Sequence, residues 1–195
     1  FKAAIDAGAK TVMINSGIIN GESVHASYKL LTEILRNKLG FEGVILTDWE
    51  DINKLCDRDK VAVNRKEAIE MAINAGIDMS MVPYEYEEFT EYLFELVEEG
   101  KVKMSRIDDA TRKILKLKFE LDLFQTPVTN YQDYPNFGSE ESNKLAYESA
   151  SESITLLKNN NSILPLKKGS KILVTGPNGN TLNSLNGAWT YNWQG

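Results

Sequence analysis

The sequence predicts an α/β chain made of the C-terminal part of a (β/α)8, TIM-type barrel, a linker, and the beginning of a second α/β domain. Three observations lead there. Glycine-ended helices at Gly8, Gly40 and Gly76 each run into a short apolar stretch. Their spacing is roughly 34 residues, close to the ~30 of one strand-helix unit in such a barrel. A Pro- and Gly-containing stretch without periodicity then separates this pattern from a new helix.

The first junction is AAIDAGAKTVM from Ala3, and the third is MAINAGIDMSM from Met71; LLTEILRNKLG followed by FEGVILT lies between them. Glycine suits the left-handed residue that closes a helix, where a side chain is strained. The predicted strands are 11–15, 44–47 and 77–82. They are unalternated apolar runs, as parallel strands covered on both faces should be. The stretch SGIINGES forms a loop with an Asn20-Gly21 turn signal, and a helix follows near 27–39. The acidic run 85–99 reads as a helix with a solvated face, ended by Gly100. In SRIDDATRKILKLKFELDLF, Ser105 and Asp108 have capping-box spacing. Ile107, Ala110, Ile114, Leu117 and Leu121 follow helical spacing, which predicts a core-facing helix without a ligand box. Residues 1–124 are thus assigned to the barrel and 125–139 to the linker. Residues 140–195 begin the second domain, with a helix near 140–153, a turn at ILPL and a strand at KILVTGP.

Composition excludes several function classes. The 195 residues are 42% hydrophobic and 26% charged with a net charge of −6, which is ordinary for a globular chain and predicts no nucleic-acid partner. No apolar run approaches the ~20 residues of a membrane helix, so no membrane insertion is expected. The single cysteine, Cys56, allows no intrachain disulfide, and the single histidine, His25, allows no histidine-cluster metal site within this chain. The chain opens at Phe1 inside a helical stretch and closes at Trp193-Gln194-Gly195 without a tail. It is therefore expected to be a piece of a longer chain, with the remainder of that chain as a partner.

The candidate chemistry lies in GFEGVILTDWEDI. Asp48 falls at the C-terminal end of a predicted strand, where α/β barrels carry their reactive groups. Pattern alone favours Asp48 as the cap of the next helix with Asp51 at the third position, because caps are far commoner than catalytic groups. An acid and an aromatic, Trp49, together at a barrel mouth point instead to sugar chemistry. Aromatic faces pack on sugar C–H groups, and carboxylates stabilise oxocarbenium-like charge. Lys54 and Arg58 read as solvated unless they face the pocket. Trp189 and Trp193 sit in a polar loop, where they call for a buried surface or a ligand. KILVTGPNGN lacks the G-x-G-x-x-G pattern of a nucleotide loop. Asp78, at the start of its strand, reads as structural.

INGESVHASYKLLTEILRNKLGFEGVILTDWEDI resembles the nucleophile region of family 3 glycoside hydrolases. AINAGIDMSM, SRIDDATRKILKLKFELDLF, ESASESITLLKNNNSILPL, KILVTGPNGN and GAWTYNWQG extend the resemblance in order along nearly the whole chain. The resemblance implies that the second domain is an α/β sandwich and that the activity is retaining, exo-acting hydrolysis of terminal β-linked sugars, a β-glucosidase type of reaction. The family's nucleophile falls on Asp48. One wall of its aromatic clamp falls on Trp49 and the other on Trp193, and a sugar-contacting basic residue falls on Lys54. A tyrosine that touches substrate in some members is replaced here by Ser16, so that contact is lost or supplied elsewhere. Thr47 stands for the usual serine and Glu22 for a common proline. The acid/base glutamate is expected beyond Gly195, so the 195 residues alone are expected to be inactive. The implied partner is a β-linked oligosaccharide or glucoside, no cofactor is implied, and a periplasmic or secreted location is expected. The alternatives are a β-N-acetylhexosaminidase of the same family and a non-catalytic carbohydrate-binding relative. The WTYNWQG loop argues against the first and an intact Asp48 against the second.

Overall fold

Backbone conformation at three glycines sets the rhythm of the chain. Gly8, Gly40 and Gly76 have φ of 91°, 74° and 121°, the left-handed side that ends a helix. At Gly76 a side chain is excluded twice over, because a Cβ there would lie 2.7 Å from Thr32 Oγ1. The Thr32 hydroxyl donates to Ala75 O at 2.8 Å and ties two helices at that point.

The structure is a computed structural model and describes residues 1–181. The chain divides into two units, 1–130 and 131–195. In the first, strands β1 (Thr11–Met13), β4 (Val44–Trp49) and β5 (Met79–Met81) form a parallel sheet in the order β1-β4-β5. Thr11 pairs with Val44 and Leu46 with Met79. All three predicted strands are present, with β1 and β5 shorter than expected and β4 longer. Strands β2 (Ile18–Ile19) and β3 (Glu22–Ser23) form a small antiparallel hairpin. Its two-residue turn, Asn20-Gly21, has both φ values positive, the type I′ geometry that matches strand twist.

Helices join the strands over Lys29–Lys38, Asp51–Asp57, Arg65–Ala75, Tyr86–Glu98 and Met104–Glu120. The core gathers Ile45, Leu55, Ile69, Ala72, Ile77, Leu96 and Val102, all essentially solvent-free. The Arg65–Ala75 helix opens with a cap that the sequence reading did not assign. Asn64 Oδ1 accepts from Glu67 N (2.9 Å), and Glu67 Oε2 accepts from Val63 N (2.6 Å). The expected capping box at Ser105 does not form. Val102 is buried with its N–H on Leu96 O, so the chain leaves the core there and the helix begins at Met104, with Ser105 already inside it. Along that helix Ile107 packs on the core, while Leu121 is 54% exposed.

Asp78 organises the floor of the sheet. Its N–H donates to Ile45 O (2.9 Å), and its Oδ2 accepts from Ile45 N (2.9 Å) and from Arg36 Nη2. Its Oδ1 accepts from Arg106 Nη2 at 2.7 Å. Arg106 also donates to Ile77 O (2.6 Å), and Arg36 to Gly43 O (3.1 Å). The side chain has no exposure at all, and a carboxylate so placed requires such partners.

In the second unit, Ser139 Oγ accepts from Ser142 N (3.2 Å) and starts the helix Glu140–Ser153. The predicted strand KILVTGP does not form. Ile172, Leu173 and Val174 are exposed, and no other described segment of this unit is a strand that could pair with it. A strand without a hydrogen-bonding neighbour has nothing to hold its backbone.

Replacing Asp78 by alanine leaves two mostly buried guanidinium groups without their anion. The expected loss is roughly 3–5 kcal/mol, read as a lowered denaturant midpoint of the full-length protein. A loss below about 1 kcal/mol, the range of an exposed pair, would contradict the role given to Asp78.

Candidate active site

The site grows from an irregularity in the central strand. Leu46 pairs with Met79 and Trp49 with Met81, so Thr47 and Asp48 together face the single residue Ser80. Such a bulge turns the side chains that follow it. Thr47 is fully buried, and its Oγ1 accepts from Met81 N at 2.8 Å, in place of a ladder bond. Asp48 is half-buried, and its Oδ1 accepts from Trp49 N at 2.7 Å. Glu50, with φ of 56°, then turns the chain sharply into the Asp51–Asp57 helix, while its N–H donates to Met81 O (2.9 Å).

This geometry overturns the cap reading of Asp48. The helix starts at Asp51, three residues after the predicted cap, its N-cap residue is Glu50, and no side chain caps it. Asp48 belongs to β4 and is left at the strand's C-terminal end with part of its surface accessible.

Of the other predicted site residues, Trp49 follows Asp48 directly, while Ser16 and Lys54 meet on the next acid, Asp51. Trp49 is 36% exposed and meets the Tyr84 ring edge-on, with centroids 6.1 Å apart and planes at 80°. Ser16, in the loop after β1, donates from Oγ to Asp51 Oδ1 at 2.8 Å. Lys54 Nζ lies 2.5 Å from the same oxygen. Arg58 Nη1 donates to Ser16 Oγ at 3.0 Å, and its Nε to Asp59 Oδ1 at 2.6 Å. Lys54 and Arg58 thus both carry partners while keeping part of their side chains in solvent. Trp193, and Trp189 with it, lie outside the described residues.

Two features escaped the sequence reading. One is the buried pair His25–Asp51, with Nε2 and Oδ2 3.4 Å apart; His25 is brought in by the turn Val24–Ala26. The other is Tyr84, an exposed aromatic three residues beyond β5. Asp51 and His25 lie far apart in sequence, and no local pattern joins them. Burial lowers the His25 pKa below the ordinary imidazole value, against the opposing pull of Asp51. The hydrogen bond from Arg58 holds the Asp59 carboxyl below its usual range, helped by Ser23 Oγ at 2.7 Å. Among the described residues no group of His, Cys, Asp and Glu could hold a metal ion, and no helix is long and apolar enough to cross a membrane.

The profile of the "Glycosyl hydrolase family 3 N terminal domain" matches residues 1–117. A lysosomal beta glucosidase of Dictyostelium discoideum is 46% identical over 202 residues, covering 100% of this chain and 24% of the relative. A periplasmic beta-glucosidase of Salmonella typhimurium is 35% identical, covering 97% of this chain and 25% of the relative. Among solved structures, the exo-1,3/1,4-beta-glucanase of a Pseudoalteromonas species superposes with a TM-score of 0.75 at 36% identity, over 98% of this chain and 24% of that one. A beta-glucosidase from Listeria innocua does so with a TM-score of 0.71 at 32% identity, over 90% and 25%. The chain spans about a quarter of the length of each of these relatives.

The lowered His25 pKa has a definite sign. The unfolded chain takes up a proton as pH falls through about 6.5, while the folded chain resists it. The contribution to stability is complete above that value, is lost as pH falls below it, and levels off once pH passes the lowered folded value. In the full-length protein, His25→Gln should therefore flatten the fall in unfolding free energy between roughly pH 7 and 5. Equal slopes for the two proteins would refute the assignment.

Proposed function

The chain belongs to glycosyl hydrolase family 3, and from that premise we propose that it is part of a retaining, exo-acting β-glycosidase, most simply a β-glucosidase, with Asp48 as nucleophile. The observation that carries this reading is the half-buried Asp48, turned out by the bulge at the C-terminal end of β4 beside Trp49. The neighbouring acid, Asp51, suits the task poorly. Its side chain is wholly buried, and Lys54, Ser16 and His25 surround its two oxygens. The three-stranded parallel sheet is read as part of a (β/α)8 barrel, whose chemistry sits at this same end.

In the proposed reaction Asp48 attacks the anomeric carbon of a terminal β-linked sugar, and the glycosidic oxygen leaves with a proton from a second carboxylic acid. Water, deprotonated by that second group, then releases the sugar from Asp48. Each displacement inverts the anomeric centre, so two of them retain it. Trp49 is taken as one wall for the second sugar and Trp193 as the other, with Lys54 and Ser16 at the rim. The substrates named for relatives fit this class: they are called beta-glucosidases, beta-xylosidases and a beta-glucanase, and one Listeria structure holds laminaribiose. The acid/base is assigned to the remainder of the chain, and the 195 residues alone are expected to release no product from an aryl β-glucoside. A periplasmic or secreted location, to be checked by cell fractionation, belongs to the same proposal, and one relative is named for the periplasm.

Asp48→Asn in the full-length enzyme should leave folding and melting unchanged, because Asp48 caps nothing. Activity should fall roughly a thousandfold or more. A variant within about tenfold of the parent would end the nucleophile assignment. Trp193→Ala should chiefly raise KM for disaccharides over aryl glucosides, and an unchanged preference would remove Trp193 from the clamp.

A further inference from the structure

We propose that Asp51 is a positioning residue for this reaction, acting through Lys54 and Ser16 rather than on the sugar itself. The inference rests on the reading of Asp48 and the rim given above.

Asp51 opens the helix that follows the nucleophile strand, and its side chain has no solvent exposure. A buried carboxylate is costly unless charged and hydrogen-bonding partners surround it. Its neighbours come from three separate parts of the chain, and two of them, Lys54 and Ser16, bond it, while Oδ2 accepts no hydrogen bond among the described residues. Lys54 lies one helical turn on, at 2.5 Å from Oδ1. Ser16, from the loop after β1, donates to the same Oδ1 at 2.8 Å. His25, from the turn Val24–Ala26, faces Oδ2 at 3.4 Å. One oxygen therefore fixes the two rim residues that the proposed function sets against substrate.

Lys54 shows why this matters. Its side chain is 34% exposed, so the ammonium is anchored on one side and accessible on the other. An exposed lysine spreads over many rotamers, and ordering it for one contact is unfavourable. Pairing with a fixed anion removes that disorder before substrate arrives. The same anion orients the Ser16 hydroxyl, which accepts from Arg58 Nη1 and so must give its proton to Asp51. Arg58 is held in turn by Asp59, and Asp59 by Ser23. Where an aromatic contact is absent at Ser16, this chain of bonds sets a guanidinium beside the rim. In this account the sequence D-x-x-K, one turn of helix, is the device that aims Lys54.

The test is a double-mutant cycle in the full-length enzyme, measured as kcat/KM per active site titrated with a covalent inactivator. Lys54→Met and Asp51→Asn should each lower kcat/KM about tenfold or more, as loss of a charged hydrogen bond does. The double variant should lose no more than Lys54→Met alone, within about twofold. A purely structural Asp51 would lower the folded fraction and the melting point but leave kcat/KM per site unchanged, or would multiply with Lys54→Met; either result overturns the proposal. Should Asp51→Asn fail to fold, Ser16→Ala replaces it, since Ser16 shares Oδ1 with Lys54. Coupling between Ser16→Ala and Lys54→Met supports the proposal, and simple multiplication overturns it. Asp48→Asn is assayed alongside. If the parent is active and Asp48→Asn is not, a multiplicative cycle removes only the role of Asp51. If the parent hydrolyses no β-glycoside, or Asp48→Asn is unimpaired, both readings fall.

Discussion

A buried carboxylate just before β5 is the constraint on which the first unit depends. Asp78 joins the central strand to its neighbour through the backbone of Ile45 and binds two arginines from different helices. With that end held, the register of β4 against β5 is set from Leu46 to Met79. The strands are tied again at the opposite end, where Thr47 accepts from Met81 N and Glu50 donates to Met81 O. Between these two ties β4 carries one residue more than β5. The surplus must go somewhere, and it emerges as the bulge that exposes Asp48. Rigidity at the floor of the sheet is thereby converted into direction at its mouth.

Two aspartates three residues apart meet opposite fates for reasons of backbone alone. Asp48 ends a strand and keeps part of its surface. Asp51 begins a helix that packs inward through Ile52 and Leu55, so its side chain is drawn beneath the surface. The left-handed Glu50 between them makes the change of direction in one residue. Under the proposed function, the nucleophile needs access and its anchor needs burial, and this turn offers one accessible and one buried acid within four residues.

Much of the fold was legible because it is local. Gly8, Gly40 and Gly76 announce helix ends through their own φ, the apolar runs announce strands, and Asn20-Gly21 announces its turn. The candidate nucleophile was legible through its flanking blocks rather than its own pattern, which favoured a cap. What stayed hidden depends on distant residues. The Asp51 cluster takes its members from Ser16, His25 and Lys54, and no spacing rule joins the first two to the others. Ser105 carries a capping pattern that the burial of Val102 overrides by starting the helix earlier. KILVTGP has strand composition, but a strand is a pairwise object, and the described residues of its unit offer no partner.

The rim also bears on the kind of substrate. Each cation there is matched by an anion: Lys54 by Asp51, Arg58 by Asp59. Matched pairs leave little net field to draw in a charged ligand, and exposed charges are further screened by salt. They do leave N–H donors of fixed direction, beside the accessible aromatic surface of Trp49 and Tyr84. A neutral sugar ring presents what such a rim can use, hydroxyls to accept hydrogen bonds and C–H faces to lie on an aromatic. Under the proposed function, recognition then comes from geometry rather than attraction. On the same proposal Asp51 matters through the directions its carboxylate fixes for Lys54 and Ser16.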